Sequence, residues 1–183
     1  MEIIQELMPG AWHLKLFRQR DSRGVFTKTF HVREFQRIGI DFIPRESCYT
    51  SSARGVVRGM HFQLPPHAHQ KLVHCCSGRV LDVLLDLRVN SPSYGKAAAV
   101  ELSSAEATLL CIPAGVAHGF AALGDGNMLM YQTDEIYYPE SDAGVRWDSF
   151  GFAWPVEHPV ISARDQVHPA LRDFNSPFQI FSK

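Results

Sequence analysis

The chain has 183 residues, of which 45% are hydrophobic and 20% charged, and its formal net charge is -1. So small a charge excludes binding to nucleic acid or a membrane surface driven by a strong field, and no segment approaches the ~20 apolar residues that a bilayer span needs. The length suits one domain, residues 1–183, with a substantial core.

The opening Met1-Glu2-Ile3-Ile4-Gln5-Glu6 lacks a basic-then-apolar signal pattern. Cys48, Cys75, Cys76 and Cys111 show no Cys-x-x-Cys spacing, so free, mostly buried thiols in a reducing cytoplasm are expected.

Along the chain the dominant period is two. Residues 12–17 read as a strand, Asp21-Ser22-Arg23-Gly24 has turn chemistry, and residues 25–32 alternate as a second strand. Residues 33–38, closed by Gly39, predict one short helix. Strands follow over 46–50 and 56–63; in the latter, alternation sets Val57, Gly59, His61 and Gln63 on one face and Val56, Arg58, Met60 and Phe62 on the other. Pro65-Pro66 ends that strand, and Lys71 opens the next, so His61 and Lys71 could face one hollow from neighbouring strands. Residues 71–76 and 79–87 flank Ser77-Gly78, a hairpin signal. Further strands over 97–102, 108–112, 117–123 and 128–133 are separated by Asn90-Ser91-Pro92, Pro113-Ala114-Gly115 and Gly124-Asp125-Gly126. Past Pro139 the texture changes to Pro, Asp and aromatic residues, as in Trp147-Asp148, Trp154-Pro155 and His168-Pro169. The expectation is an all-β antiparallel sandwich or barrel with its core at about residues 10–139. A C-terminal arm, residues 140–183, lies over the sheets with a short helix near Leu171.

Few residues carry an individually specific chemical signal. His67, His69 and His118 together suggest metal ligands, but no carboxylate accompanies them and Lys71 would place a cation beside the ion. Following two prolines, His67 and His69 are read as solvated loop residues. His61, framed by Arg58 and Lys71, is a candidate general base kept neutral by those cations, against the alternative of a core histidine bonded to a backbone carbonyl. Tyr131 either supplies a phenolic proton or packs in its strand. Asp165 orients a histidine or serves a turn.

In combination, these residues resemble the sugar-nucleotide epimerases typified by dTDP-4-dehydrorhamnose 3,5-epimerase, over nearly the whole length. The resemblance rests on Asp21-x-Arg23-Gly24-x-Phe26, then Gly55-Val56-Val57-Arg58-Gly59-Met60-His61-Phe62-Gln63, then Lys71-Leu72-Val73. Asp82-Val83, Asp86-Leu87-Arg88, Ser91-Pro92-Ser93-Tyr94-Gly95 and Ile112-Pro113-x-Gly115-x-Ala117-His118-Gly119-Phe120 follow in order, with Tyr131, Tyr137, Trp154-Pro155 and Ser162-x-x-Asp165 beyond them. The resemblance implies a cupin-type antiparallel jelly roll and a cofactor-independent isomerase, with no metal. It implies a homodimer with N-terminal strand exchange, in which residues near Arg23 serve the neighbour's site. By the same resemblance His61 is the base, Asp165 fixes its ring, Lys71 and Arg58 stabilise an enolate, and Tyr131 is the acid on the opposite sugar face. His118 and Tyr137 line the sugar site, while Arg23 and Phe26 hold the nucleotide. Gln63, Lys28 and Glu46 fall at substrate-site positions.

Two stretches depart from the family. Phe26-Thr27-Lys28-Thr29-Phe30 has Lys28 where relatives carry Glu, and Glu46-Ser47-Cys48-Tyr49-Thr50 stands where relatives read Gln-x-Asn-His-Ser. These departures bear on which nucleotide and sugar are used and on whether C3, C5 or both are inverted. The default is a dTDP-sugar 3,5-epimerase. The rivals are a single-centre epimerase on another nucleotide sugar such as a CDP-4-keto-deoxyhexose, a metal-dependent cupin enzyme, and a non-catalytic sugar-nucleotide binder.

Overall fold

Strands with apolar side chains at both alternate positions need cover on both faces, and this requirement decides the layering. The computed structural model describes residues 1–180. In chain order it contains β1 (Glu2–Met8), β2 (Ala11–Lys15), β3 (Phe17–Asp21), β4 (Gly24–Lys28), α1 (Val32–Arg37), β5 (Glu46–Ser52), β6 (Val57–Gln63), β7 (Lys71–Ser77) and β8 (Arg79–Asp86). There follow β9 (Ala97–Ser103), β10 (Thr108–Ile112), β11 (Val116–Ala122), β12 (Asn127–Thr133), β13 (Asp142–Gly144), α2 (Ala163–Gln166) and a 3-10 turn at Leu171–Asp173. Two antiparallel sheets form the jelly roll, one ordered β1-β2-β10-β7-β12-β5 and the other β13-β6-β11-β8-β9. Strands β3 and β4 make a separate hairpin.

Between the sheets, Val73, Leu110, Ile112 and Leu129 meet Val80, Leu84, Val116 and Phe120. The outer face of the six-stranded sheet presents Leu14, Leu72, Leu109 and Cys111, covered by Phe35 of α1 with Ile40 and Phe42. The outer face of the other sheet presents Met60, Phe62, Val83 and Leu85, packed with Val145 and Phe178 and against the partly buried Trp154, Leu171 and Phe174. Thus the C-terminal arm is a third layer. In β10, Leu109 and Cys111 face one core while Leu110 and Ile112 face the other.

Several expectations shift. Strands β1 and β13 lie outside the span expected for the sheet core. The second strand stops at Lys28 because Phe30 turns inward, its ring 5.1 Å from that of Phe35 and 6.0 Å from that of Phe42. Ser77-Gly78 is not a hairpin, because β7 and β8 belong to different sheets. Gly78, at φ +76, lies so close to Asn127 that a Cβ would sit 2.5 Å from its Oδ1. Buried Asn127 then accepts from Arg79 N–H at 2.9 Å and donates to Ser52 O at 3.1 Å, tying the crossing to β5. The thiols are all free, but only Cys75 and Cys111 are buried; Cys48 and Cys76 are exposed.

At the end of β8, Asp86 and Arg88 form a buried ion pair, with Nε–Oδ1 and Nη2–Oδ2 both 2.8 Å. Ser91 and Ser93 hydroxyls donate to Asp86 Oδ2 at 2.5 and 2.6 Å, and Arg88 Nη1 donates to Pro9 O at 2.9 Å. Burial alone would raise the Asp86 carboxyl, but the Arg88 and serine hydrogen bonds outweigh it and hold it below the ordinary range. This cluster accounts structurally for Asp86-Leu87-Arg88 and Ser91-Pro92-Ser93. Arg88→Ala strands a buried carboxylate and is expected to destabilise the fold by about 3–5 kcal/mol, measured by urea unfolding.

Candidate active site

A backbone irregularity builds the site. His118 of β11 pairs with His61 of β6, and Phe120 pairs with Arg58. Two residues on β11 therefore span three on β6, and the extra residue is a bulge. Strict alternation had separated Arg58 from His61, but the bulge reverses the parity between them. Both now line one cavity of about 220 Å³ with Cys48, Thr50, Lys71, His118, Gly119, Phe120 and Tyr131. The bulge requires glycine on both strands. A Cβ on Gly59 would lie 2.6 Å from Gly119 Cα, and one on Gly119 would lie 2.8 Å from Arg58 O.

Lys71 reaches this cavity from the opposite sheet, not from a neighbouring strand. Its Nζ donates to His61 O at 3.1 Å. Burial pushes the Lys71 ammonium down to about 8, against the opposing pull of Asp142 and Asp82. Tyr131 sits on β12 opposite Cys48 of β5, its ring edge-on to His118 at 5.8 Å. Burial raises its phenol further above the ordinary value, with Asp82 adding to the effect. Asp82, fully buried beneath, accepts from His118 Nε2 at 2.8 Å. A single buried carboxylate thus favours both the charged ammonium of Lys71 and the protonated phenol of Tyr131.

Behind His61 stands the arm. Ser162 caps α2 by accepting from Asp165 N–H at 3.1 Å, which aims the Asp165 carboxylate at β6. Asp165 Oδ1 lies 2.8 Å from His61 Nε2, and Oδ2 accepts from the Gly59 N–H at 3.2 Å. With Nε2–H donating to the carboxylate, Nδ1 keeps the lone pair. The His61 imidazole is lowered below its ordinary range. Burial is the main cause, opposed by Asp165; Lys71 and Arg164 add smaller downward effects. The expected cause, neighbouring cations, is therefore secondary.

The remaining expected site residues lie elsewhere. Gln63 is buried, its amide nitrogen within 2.9–3.1 Å of His67 O, His69 Nδ1 and Ile136 O, while its oxygen accepts from Tyr138 N–H at 2.7 Å. It braces two loops. Glu46 accepts from the Tyr137 N–H at 2.8 Å, and the Tyr137 hydroxyl donates to Asp142 at 3.1 Å, a carboxylate also bound by Arg164 at 2.8 Å. Arg23 and Phe26 sit on the β3–β4 hairpin, where Arg23 pairs with Asp21 at 2.7 Å and Phe26 is 58% exposed. Lys28, on the same hairpin, has its ammonium 5.8 Å from the centre of the Phe17 ring. None of these six side chains lines the cavity.

His67, His69 and His118 do not gather. His67 stacks on Tyr138 at 3.5 Å, His118 is committed to Asp82, and His69 is no solvated loop residue: its Nε2 is buried without a partner, and burial pushes its imidazole down to about 3. Sequence reasoning passed over two neighbours of the site. Asp82 was visible only as part of a motif. His168, three residues after Asp165 across the short helix α2, lies with its Nε2 3.8 Å from Asp165 Oδ1; the i, i+3 spacing was the available signal.

The arrangement combines an oriented, neutral imidazole, two cations and a protonated phenol around a space the size of a sugar ring. It suits proton removal beside a carbonyl. Comparison with known proteins agrees. Residues 5–173 match the dTDP-4-dehydrorhamnose 3,5-epimerase family. The enzyme of that name from Shigella flexneri is 38% identical, covering 90% of this chain and 93% of its own. A dTDP-4-dehydrorhamnose 3-epimerase from Streptomyces niveus is 36% identical over 86% of this chain and 77% of its own. The crystal structure of dTDP-6-deoxy-D-glucose-3,5-epimerase from Legionella pneumophila, in complex with dTDP-4-keto-L-rhamnose, superimposes with a TM-score of 0.93 at 27% identity, covering 99% of both chains. Motifs, fold and extent of match converge: the chain belongs to the dTDP-4-dehydrorhamnose 3,5-epimerase family and is a sugar-nucleotide isomerase.

Proposed function

We propose that the protein converts dTDP-4-dehydro-6-deoxy-D-glucose to dTDP-4-dehydro-L-rhamnose by proton transfer through an enolate. The observation that carries this reading is the convergence of His61, Arg58, Lys71 and Tyr131 on one cavity from two sheets. The C4 carbonyl acidifies the hydrogens at C3 and C5. His61 Nδ1 removes one, Asp165 holding the ring and supporting the imidazolium. Lys71 and Arg58 stabilise the enolate oxygen as its charge develops. Tyr131 returns a proton from the other face, giving inversion. His118 and Tyr137 hold the sugar, His118 from the cavity wall and Tyr137 from outside it. The charge forms beside protein cations and no hydride moves, so this chemistry calls for no metal or redox cofactor.

At about 220 Å³ the cavity is below the ~300–1,000 Å³ that accommodates drug-sized ligands, so it takes the sugar and leaves the nucleotide at its mouth. Arg23 and Phe26 fit the nucleotide as cation and aromatic surface, with Lys28 on the same hairpin and Glu46 at the rim supporting the substrate site, while Gln63 acts only by bracing the loops beside it. Their hairpin belongs to neither sheet and exposes Phe17, Val25 and Phe26. Strand β1 is an edge strand exposing Ile3 and Ile4. These features support a homodimer in which the N-terminal region crosses to the neighbour and the hairpin serves its site. Free thiols at all four cysteines fit a cytoplasmic setting, and among the described residues no helix is long and apolar enough to cross a membrane.

A second reading, inversion at one carbon only, is favoured by Cys48. It lines the cavity where the family commonly has Asn, and one relative is named a 3-epimerase. Lys28 and Glu46 lie outside the cavity, so they bear on nucleotide and rim contacts.

Proton NMR in D2O with dTDP-4-keto-6-deoxyglucose separates the readings. Deuterium entering both C3 and C5 supports 3,5-epimerisation, and exchange at one carbon supports the alternative. No exchange there or with the CDP analogue overturns both. His61→Asn is expected to lose at least about 10²-fold in turnover.

The pH profile of kcat/KM should rise as His61 loses its proton below its ordinary value of 6.5, because the neutral form is the base. It should fall above about pH 8 as the Lys71 ammonium deprotonates. In Lys71→Arg, whose guanidinium stays charged, the falling limb near pH 8 should disappear. Sedimentation equilibrium should give twice the chain mass; a monomer with full activity would overturn the shared-site proposal.

A further inference from the structure

His168 is a half-buried titratable group that the proposed proton transfers do not use. Its ring lies against the backbone of Gly144, so closely that a Cβ there would be 2.6–2.8 Å from Nε2, Cδ2 and Cε1. The segment beside it is anchored by the Arg146 N–H donating to Pro169 O at 2.8 Å. So fixed, the imidazole turns edge-on to His61, ring centres 5.9 Å apart. Its Nε2 is buried and has no hydrogen-bond partner, which is costly for a polar atom unless a ligand or water supplies one.

The unpartnered nitrogen lies beside two other donors. His61 Nε2, Asp165 Oδ1 and His168 Nε2 all lie within 4.8 Å of one another, with His61–Asp165 at 2.8 Å and His168–Asp165 at 3.8 Å. A tetrahedral zinc-type ion with bonds of ~2.0–2.2 Å holds its donor atoms about 3.3 Å apart, and the two observed separations straddle that value. Two imidazoles and one carboxylate are a donor set suited to such an ion, with water completing the coordination. Lys71 and Arg164 stand nearby, Arg164 paired with Asp142 at 2.8 Å, so two cations balance two carboxylates and the site is not built for tight permanent occupancy.

We propose that His61, Asp165 and His168 form an inhibitory site for a divalent transition ion of the zinc type. The ion replaces the hydrogen between His61 Nε2 and Asp165, which moves the imidazole proton to Nδ1. The lone pair that serves as the base is thereby removed, with no net change in protonation. Binding rests on the three side chains alone; its inhibitory consequence rests on the reading of His61 as the base.

The test uses untagged protein carrying Cys76→Ser, which removes a competing exposed thiol 3.2 Å from His74 Nε2. Calorimetric titration with ZnCl2 and the visible absorption of added Co²⁺ report binding, and turnover is measured in parallel. One ion per chain is expected, with d–d bands of a four-coordinate nitrogen–oxygen site and loss of turnover reversed by EDTA. His168→Ala should bind the ion at least about tenfold more weakly and escape inhibition at that concentration, while turnover without metal is unchanged. Equal affinity in His168→Ala, or no binding by the parent, would overturn the site. Binding without inhibition would overturn its inhibitory role. Because calorimetry needs no substrate, failure of the epimerase reading leaves the binding result interpretable.

Discussion

The site depends on the contact between Gly59 and Gly119, where two strands approach too closely for any side chain. The extra residue of β6 at this point turns Arg58 and His61 toward the same cavity. It also presents the Gly59 N–H to Asp165, so the residue that orients His61 is tied to the bulge that aims it. An alanine on either strand would push backbone against backbone. The consequence would fall on the geometry of His61 before it fell on the core, whose apolar contacts lie in separate layers.

Around that contact, charge is arranged by depth. Asp82, wholly buried, is raised by its burial and relieved by His118, and its field supports the ammonium of Lys71 while holding the phenol of Tyr131 protonated. Asp165, also buried, is held below the ordinary carboxylate range despite that burial by hydrogen bonds from His61 and the Gly59 N–H. One carboxylate therefore acts on Lys71 and Tyr131 and the other on His61. Because the two approach from different layers, β8 of one sheet and the arm that covers it, neither neutralises the group the other supports.

Much of the fold was legible. Period-two patterning located most strands, and Gly39 marked the end of α1, where it adopts φ +80. Turn chemistry did not reveal whether a turn keeps its chain in one sheet or carries it to the other, since Ser77-Gly78 satisfies either geometry until Asn127 is in place. Nor did alternation reveal the bulge, which appears only when β11 supplies the partner register. Gln63 illustrates the same limit: its position in the central motif pointed to the ligand, whereas its hydrogen bonds tie the adjacent loop at His67 to the distant one at Ile136 and Tyr138.

The sequence by itself determined the all-β character and the family, because strand periodicity and ordered motifs are local properties. Tertiary structure alone decided that Lys71 faces His61 across two sheets, that burial more than neighbouring cations lowers the imidazole, and that His168 joins His61 at Asp165. Those facts depend on what packs against each residue from segments up to about a hundred positions away, and desolvation and cross-sheet distance are properties of that packing.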